Sequence, residues 1–334
     1  MKRRIFVLVI ASALTLAACG GGAQDGDSVE LSLGSAAAPT NAMTPSAEQF
    51  KKDVEEGTAG RVKVVLQLNG VVGDEATMSE AVQRGTLEAG IISDFGLSAV
   101  EPKISVAGLP YLFRDMDEVK EHYYGGFIGE YNTEQLAKKD IKVLAWGDNS
   151  FRALSNSKRP VTGADDIKGL NLRVTPVPVL VDFFEALGAK VTPLPITEVL
   201  TALQQGLVDG QENGINLTAS FGFGDVQKHM TVTNHSYSAV GYVINAKIWD
   251  SISSEDQAVV QKAAEDAAAF EIEQNIKDVE TNRAKLEDAG VTFDELDAAS
   301  VATLRAEAQK VWAEYEDEFD AEILDQIDAS LGSE

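Results

Sequence analysis

Val179-Leu180-Val181-Asp182-Phe183-Phe184-Glu185-Ala186-Leu187-Gly188-Ala189-Lys190-Val191-Thr192-Pro193-Leu194-Pro195-Ile196-Thr197-Glu198-Val199-Leu200-Thr201-Ala202-Leu203-Gln204-Gln205-Gly206 reads as helix, strand and helix with little chain between them. Val179, Leu180, Phe183, Phe184 and Leu187 recur at the spacing of one helical face, and Gly188 closes that helix. A strand spans Lys190 to Thr192. Thr197 then caps a second helix, which turns Leu200 and Leu203 inward and stops at Gly206. Strands tied together by helices of this length lie parallel in an α/β sheet.

The same rhythm runs through the first half of the chain. Val29 to Leu33 alternates apolar and polar residues and ends at Gly34, the pattern of a strand. Thr44-Pro45 offers a cap followed by proline at the first helical position, and Ala47, Phe50 and Val54 then share a face. Arg61 to Leu68 predicts a second strand. A short helix with Met78, Ala81 and Val82 inward stops at Gly85, and Leu87 to Ile92 supplies a third strand. Ile141 to Trp146 and Asn171 to Val174 are further strands, so the sheets should be largely parallel. Ligands of such sheets bind in the crevice beyond the carboxyl ends of the strands.

The C-terminal part is helical. Ser254 with Gln257 forms a capping box, and the pattern continues without proline or glycine to Ala289, with Gly290 as its stop. At 1.5 Å per residue such a helix extends about 54 Å, more than the width of one α/β lobe. It should bridge two lobes or kink between them. Its apolar positions are too rich in alanine and too irregular for coiled-coil heptads.

Export is written into the first residues. Lys2, Arg3 and Arg4 precede an apolar run from Ile5 to Leu16, a leader too short to remain as a membrane span. Leu16-Ala17-Ala18-Cys19 resembles a bacterial lipobox, in which the cysteine becomes the lipidated N-terminus. Cys19 is the one cysteine in the chain, so the mature protein would have no disulfide and would rely on core packing. Gly20 to Ser28 then reads as a flexible polar tether, and about 300 residues follow it, enough for two lobes.

A formal net charge of −25 argues against nucleic acid and against adhesion to anionic lipid. An acidic protein that binds an anion must concentrate positive charge in its site, which draws attention to arginines. No catalytic constellation is visible. His122, His229 and His235 are the three histidines, none paired at metal-ligand spacing on a helix, and neither a Gly-x-Ser-x-Gly elbow nor a Walker loop occurs. Phe221-Gly222-Phe223-Gly224 follows no strand and makes no dinucleotide fingerprint. The sequence calls for no cofactor and no metal ligand set.

Between Arg152 and Asn213 four segments stand out. They are Phe151-Arg152-Ala153-Leu154-Ser155-Asn156, Asp166 through Val174, Ala186 through Pro195, and Glu198-Val199-Leu200-Thr201-Ala202-Leu203-Gln204-Gln205-Gly206-Leu207-Val208-Asp209-Gly210-Gln211-Glu212-Asn213. Together they resemble the signature of the DctP-type solute-binding proteins of tripartite ATP-independent periplasmic (TRAP) transporters. Gly73-Asp74-Glu75, Gln83 to Glu88 and Thr233-Asn234-His235 extend the similarity over essentially the whole mature chain.

The resemblance implies a two-lobed periplasmic-binding fold with hinge strands and a long helix spanning both lobes. It divides the chain into a leader (1–18), a tether (19–28), a first lobe (29–148 with about 238–277) and a second lobe (149–237 with about 278–334). It implies a periplasmic, lipid-anchored receptor that captures a small organic carboxylate and delivers it to TRAP membrane subunits. Arg173 matches the arginine that pairs with the carboxylate, Arg152 a second pocket arginine, and Asn213 the pocket asparagine. Glu75 and Ser93 fall where the first lobe contributes polar contacts, and Ile196 where relatives place a bulky residue over the ligand. Gly214 replaces a proline common after that asparagine, Ala36 stands where some relatives offer an amide, and Leu200 replaces a common tyrosine. These departures remove donors around the ligand body and leave open a dicarboxylate, a keto or hydroxy acid, a sugar acid or an aromatic acid. The same scaffold would also serve as a ligand-dependent partner of a membrane sensor. An enzyme on it would need a nucleophile, base or metal cluster that the sequence does not display.

Overall fold

The computed structural model describes residues 28–331. The leader, Cys19 and the tether through Asp27 lie outside those residues. The chain opens with β1 (Val29–Ser35), α1 (Met43–Gly57), β2 (Val62–Gln67), α2 (Glu75–Arg84), β3 (Ala89–Ser93) and α3 (Asp94–Leu97). After a 3₁₀ turn come α4 (Met116–His122), α5 (Phe127–Ala137), β4 (Ile141–Phe151) and β5 (Ala153–Asn156). The middle of the chain holds α6 (Ala164–Ile167), β6 (Asn171–Val174), α7 (Pro178–Ala186), β7 (Lys190–Pro193), α8 (Ile196–Gln204), β8 (Gly210–Asn213) and α9 (Ile215–Ser220). It ends with β9 (His229–Val232), β10 (Tyr237–Asn245), α10 (Ala246–Ser251), α11 (Ser254–Asp288), β11 (Thr292–Glu295), α12 (Ala298–Glu314) and α13 (Ala321–Leu331).

Two sheets result, ordered β2-β1-β3-β10-β4 and β11-β9-β5-β8-β6-β7. The pairs built by strand–helix–strand units are parallel, as the pattern predicts: β1 with β2 and β3, and β6 with β7 and β8. The expectation of largely parallel sheets fails at β10, antiparallel to β3 and β4, and at β5, antiparallel to β8 and β9. These strands belong to the segments that run directly from one sheet to the other. β4 continues through Arg152 into β5, and β9 returns through Thr233–Ser236 into β10. A chain that crosses between two lobes and comes back enters each sheet against its parallel strands.

Three helix starts differ from the sequence reading, each by local chemistry. α1 begins at Met43 because Asn41 Oδ1 accepts its amide at 2.9 Å, while Thr44 donates its hydroxyl to the Ala38 carbonyl instead of capping. α8 begins at Ile196 with the extended Pro195 before it, so Thr197 lies within the helix. α11 is capped by Ser253, which accepts from the Asp256 amide, and not by Ser254 with Gln257. Its far end falls where expected, at Asp288 with Gly290 in a left-handed conformation.

α11 is the third link between the lobes. Its first half buries Val260, Ala263, Ala264, Ala267 and Ala268 in a core shared with α1 and the first sheet. The small side chains let its backbone approach closely, and Val259 packs against Gly57. Its second half contacts α9 and buries polar residues instead. Glu271 accepts the Asp148 amide at 2.7 Å. Asn275 donates to Asp148 Oδ2 at 2.5 Å and accepts from Asn216 Nδ2 at 2.6 Å, which ties hinge strand β4 to α9 through the helix. α12 packs on α7, but α13 returns to α5, where Asp320 accepts from Lys103 and Tyr131.

Removing the Asn275 side chain leaves Asp148 Oδ2 without its donor in a buried setting, while Asn216 Nδ2 keeps the Asn275 backbone carbonyl. Asn275→Ala should therefore lower unfolding free energy by about 2–4 kcal/mol, read by urea denaturation. A stability equal to wild type would show that the bridge is dispensable.

Candidate ligand-binding site

A cavity of about 160 Å³ lies between the two sheets, beyond the carboxyl ends of β1, β3, β6 and β8. Glu75, Ser93, Arg152, Arg173, Asn213 and Ile196, the six residues named from sequence, all line it. Arg173 is the third residue of β6. Its neighbours Leu172 and Val174 are buried in an apolar core, and strand alternation turns Arg173 to the opposite face. The guanidinium is almost wholly buried, with Nε donating to the Leu194 carbonyl at 2.8 Å and Nη1 to the Glu212 carbonyl at 3.4 Å. Nη2 keeps no partner among the described residues. Burial brings its pKa down to about 10 against the pull of Glu212, so it stays protonated through the neutral range.

Arg152 sits where β4 passes into β5. It is held by Glu212 twice, through Nε to the carboxylate and Nη2 to the carbonyl at 2.9 Å, and its guanidinium lies 5.4 Å from the Phe95 ring centre. Glu212 was quoted in the sequence motif without a role, and it is the organising residue of the site. Its second oxygen accepts the Thr175 amide at 2.8 Å and lies 3.8 Å from Arg173 Nη1. His235 Nε2 is 3.5 Å away on the other side, while His235 Nδ1 meets the Thr233 hydroxyl at 2.7 Å. Burial by itself would raise the Glu212 carboxyl; the Arg152 charge, the His235 and Arg152 contacts and the Arg173 charge overcome this and hold it well below its ordinary range. His235 is pushed the other way by burial, toward the neutral imidazole, despite facing Glu212. The sequence did carry a signal for this cluster. Gly210-Gln211-Glu212-Asn213 is a strand of polar residues, all buried, and buried polar side chains require dedicated partners.

The opposite wall belongs to the first sheet. Glu75, the first residue of α2, is more than a helix-dipole acid. Its carboxylate accepts the Ser93 amide at 2.9 Å and hydroxyl at 2.6 Å, which joins α2 to the end of β3. Burial raises its pKa, opposed by Ser93 and by the charges of Arg152 and Arg173 across the cavity. Asn213 spends its Oδ1 on the Gly214 amide at 3.0 Å, which leaves Nδ2 for the cavity. Ile196 packs against apolar clusters of both sides, so it bridges the walls as well as lining them. Sequence reasoning missed Asn149, a buried cavity residue on β4.

The site is a buried pair of cations with one internal counter-charge, one unused guanidinium nitrogen and acceptors opposite, an arrangement suited to an anion. Among the described residues there is no cluster of metal-ligating side chains and no helix long and apolar enough to cross a membrane.

Glu212→Gln keeps the shape and removes the counter-charge of two buried arginines, so it should cost about 3–5 kcal/mol of stability at neutral pH. Because the folded carboxyl titrates below its unfolded value of 4.5, this contribution is complete above that pH and is lost as pH falls through the folded value. Urea unfolding from pH 7 downward should show the two proteins converging in acid. A constant difference at every pH would contradict the assignment.

The chain matches the family model for bacterial extracellular solute-binding proteins of family 7 (DctP) over residues 33–318. A solute-binding protein of Verminephrobacter eiseniae is 36% identical over 280 residues, 84% of this chain and 83% of that protein. The TRAP periplasmic solute-binding protein of Polaromonas sp. JS666, solved with D-erythronate, is 31% identical, with a TM-score of 0.84 over 92% of this chain and 100% of that one. A TRAP periplasmic solute-binding protein from Ralstonia eutropha H16, solved with (S)-2-acetolactate, is 27% identical, with a TM-score of 0.85 over 91% of this chain and 98% of that one. The two lobes, the crossing strands and the spanning helix thus have their counterpart in solved receptors, and the chain belongs to the DctP family of bacterial extracellular solute-binding proteins.

Proposed function

We propose that this protein is the periplasmic receptor of a TRAP transporter, that it holds a small organic carboxylate in the cavity between its lobes, and that it hands the ligand to the membrane subunits. The observation that carries the reading is Arg173, buried in the cavity wall with two of its nitrogens fixed by carbonyls and Nη2 unused. A carboxylate there gains charge and directed donors at once, and Arg152 and Asn213 Nδ2 complete the cationic side. Glu75 and Ser93 contact the ligand from the first lobe, and Ile196 packs over it. The family consists of solute-binding receptors, and catalysis plays no part in this reading. No cofactor is required.

In the same proposal the first lobe comprises residues 29–148 and about 238–277, and the second 149–237 and about 278–334. Cys19 carries a lipid, which anchors the body to a membrane through the tether. Cys19→Ser should release the protein from the membrane or block its maturation, as fractionation would show. Detergent-dependent membrane association unchanged in that variant would sink the anchor.

Arginine offers two parallel donors from one plane, whereas lysine keeps the charge without the fork. Arg173→Lys should weaken carboxylate binding by about 30-fold or more, the range expected when one partner of a buried charge pair is lost. Arg152→Lys should cost less if Arg152 acts mainly through Glu212. Calorimetry on both variants, with circular dichroism to confirm folding, is the measurement. Near-normal affinity in folded Arg173→Lys would remove the anchor.

A further inference from the structure

The three connections between the lobes meet at the side chain of Asp148. It stands on β4 just before that strand crosses toward β5. Its Oδ1 accepts at 2.7 Å from the hydroxyl of Tyr237, the first residue of β10 after the return crossing. Its Oδ2 accepts Asn275 Nδ2 of α11 at 2.5 Å. The Ser150 amide at 3.1 Å and the Tyr124 hydroxyl at 3.3 Å add further donors on Oδ1. Donors on both oxygens are the surroundings of an ionised carboxylate.

Glu271 of α11 lies against the same part of β4 in opposite surroundings. Its Oε2 accepts the Asp148 amide at 2.7 Å, while Oε1 is buried with no hydrogen-bond partner among the described residues. The helix comes close here, since a Cβ on Gly147 would lie 2.8 Å from Glu271 Oε2. Around the pair the titratable groups are Tyr124 beside α4 and Tyr237 and Tyr242 on β10, phenols that burial holds neutral. Ser46 of α1, bonded to the Tyr242 hydroxyl, and Asn216 of α9, bonded to Asn275, carry no charge. Neither carboxyl forms an ion pair among the described residues with an arginine, lysine or histidine that could balance a second negative charge.

Two buried carboxyls joined this closely do not both ionise at neutral pH, and the one with fewer donors keeps its proton. Burial and the Asp148 charge both raise the Glu271 carboxyl well above its ordinary range, and the Asp148 amide opposes them. Burial raises the Asp148 carboxyl too, against the pull of Tyr237, Asn275, Ser150 and Tyr124.

We infer that Glu271 carries a proton at neutral pH, and that this proton lets α11 lie against β4, so that the hinge between the lobes responds to alkaline pH. Loss of the proton places a second charge beside Asp148 where all three connections meet. Repulsion is relieved by moving α11 off Gly147, and a helix that serves both lobes carries that movement to their relative position.

In the unfolded chain this carboxyl ionises near 4.5. Its contribution to stability is complete below that pH and is lost as pH rises through the higher folded value. Glu271→Gln imitates the neutral acid permanently. Urea unfolding from pH 5 to 9 should show the folding constant of wild type falling against that of Glu271→Gln by about tenfold per pH unit, the slope of one proton, until the folded carboxyl ionises. A ratio that is the same at every pH would overturn the inference. Should Glu271→Gln fail to fold, the Glu271 carboxyl carbon is followed by NMR in wild type, where the shift of a carboxylate at pH 7 would overturn it equally. Small-angle scattering reads the hinge: the radius of gyration of wild type should change between pH 7 and 9 and that of Glu271→Gln should not. A titrating Glu271 with an unchanged radius would make the proton structural and remove the hinge response. All three measurements use the ligand-free full chain, so their outcome is separate from that of the receptor reading.

Discussion

Everything in the cavity depends on one buried carboxylate. Glu212 neutralises part of a pair of arginines that would otherwise repel each other in a setting with little water to screen them. It does so from the middle of β8, where its carbonyl as well as its side chain is used. Two buried cations share one counter-ion on the second sheet's wall, with Glu75 facing them from the first. An anion meets the positive charge on that wall, and the geometry of Arg173 gives the contact a direction. Buried ion pairs add little to stability compared with a well-packed apolar core, so their presence here is better understood as serving the ligand.

Much of the fold was legible because strands and helices alternate with glycines at their ends. β6 was bounded correctly, and Gly85, Gly188, Gly206 and Gly290 all adopt the left-handed conformation that ends a helix. The starts of helices were less legible. Asn41, Pro195 and Ser253 each lie within a few residues of a second plausible cap, and the choice is made by contacts such as Thr44 with Ala38 that local sequence does not display. Strand direction at β5 and β10 was likewise hidden, since it follows from the chain crossing twice between lobes.

The candidate site was half legible. A motif resemblance brought six residues to one cavity, but the residues that hold those six in place went unassigned. Glu212, His235 and Asn149 gain their meaning from partners between 20 and 90 positions away, such as Glu212 with Arg173 and Asn149 with Ser238. Nothing in a linear reading ranks one asparagine or glutamate above another in a chain with 53 acidic residues. Asn275 and Glu271 show the same limit on α11, where buried polar side chains interrupt an alanine-rich face to grip the hinge.

The contrast between a body of net charge −25 and a cavity holding two buried arginines reaches into the kinetics of capture. An anion approaching from a distance meets repulsion first and attraction only at the mouth. Dissolved salt weakens the long-range part, with a screening length of about 10 Å at 0.1 M, and barely touches contacts already out of water. Association should therefore speed up as ionic strength rises while dissociation stays nearly constant, the reverse of the usual behaviour of electrostatically steered pairs. With an acidic exterior of this kind, salt shields the barrier outside the cavity and leaves the grip inside it unchanged.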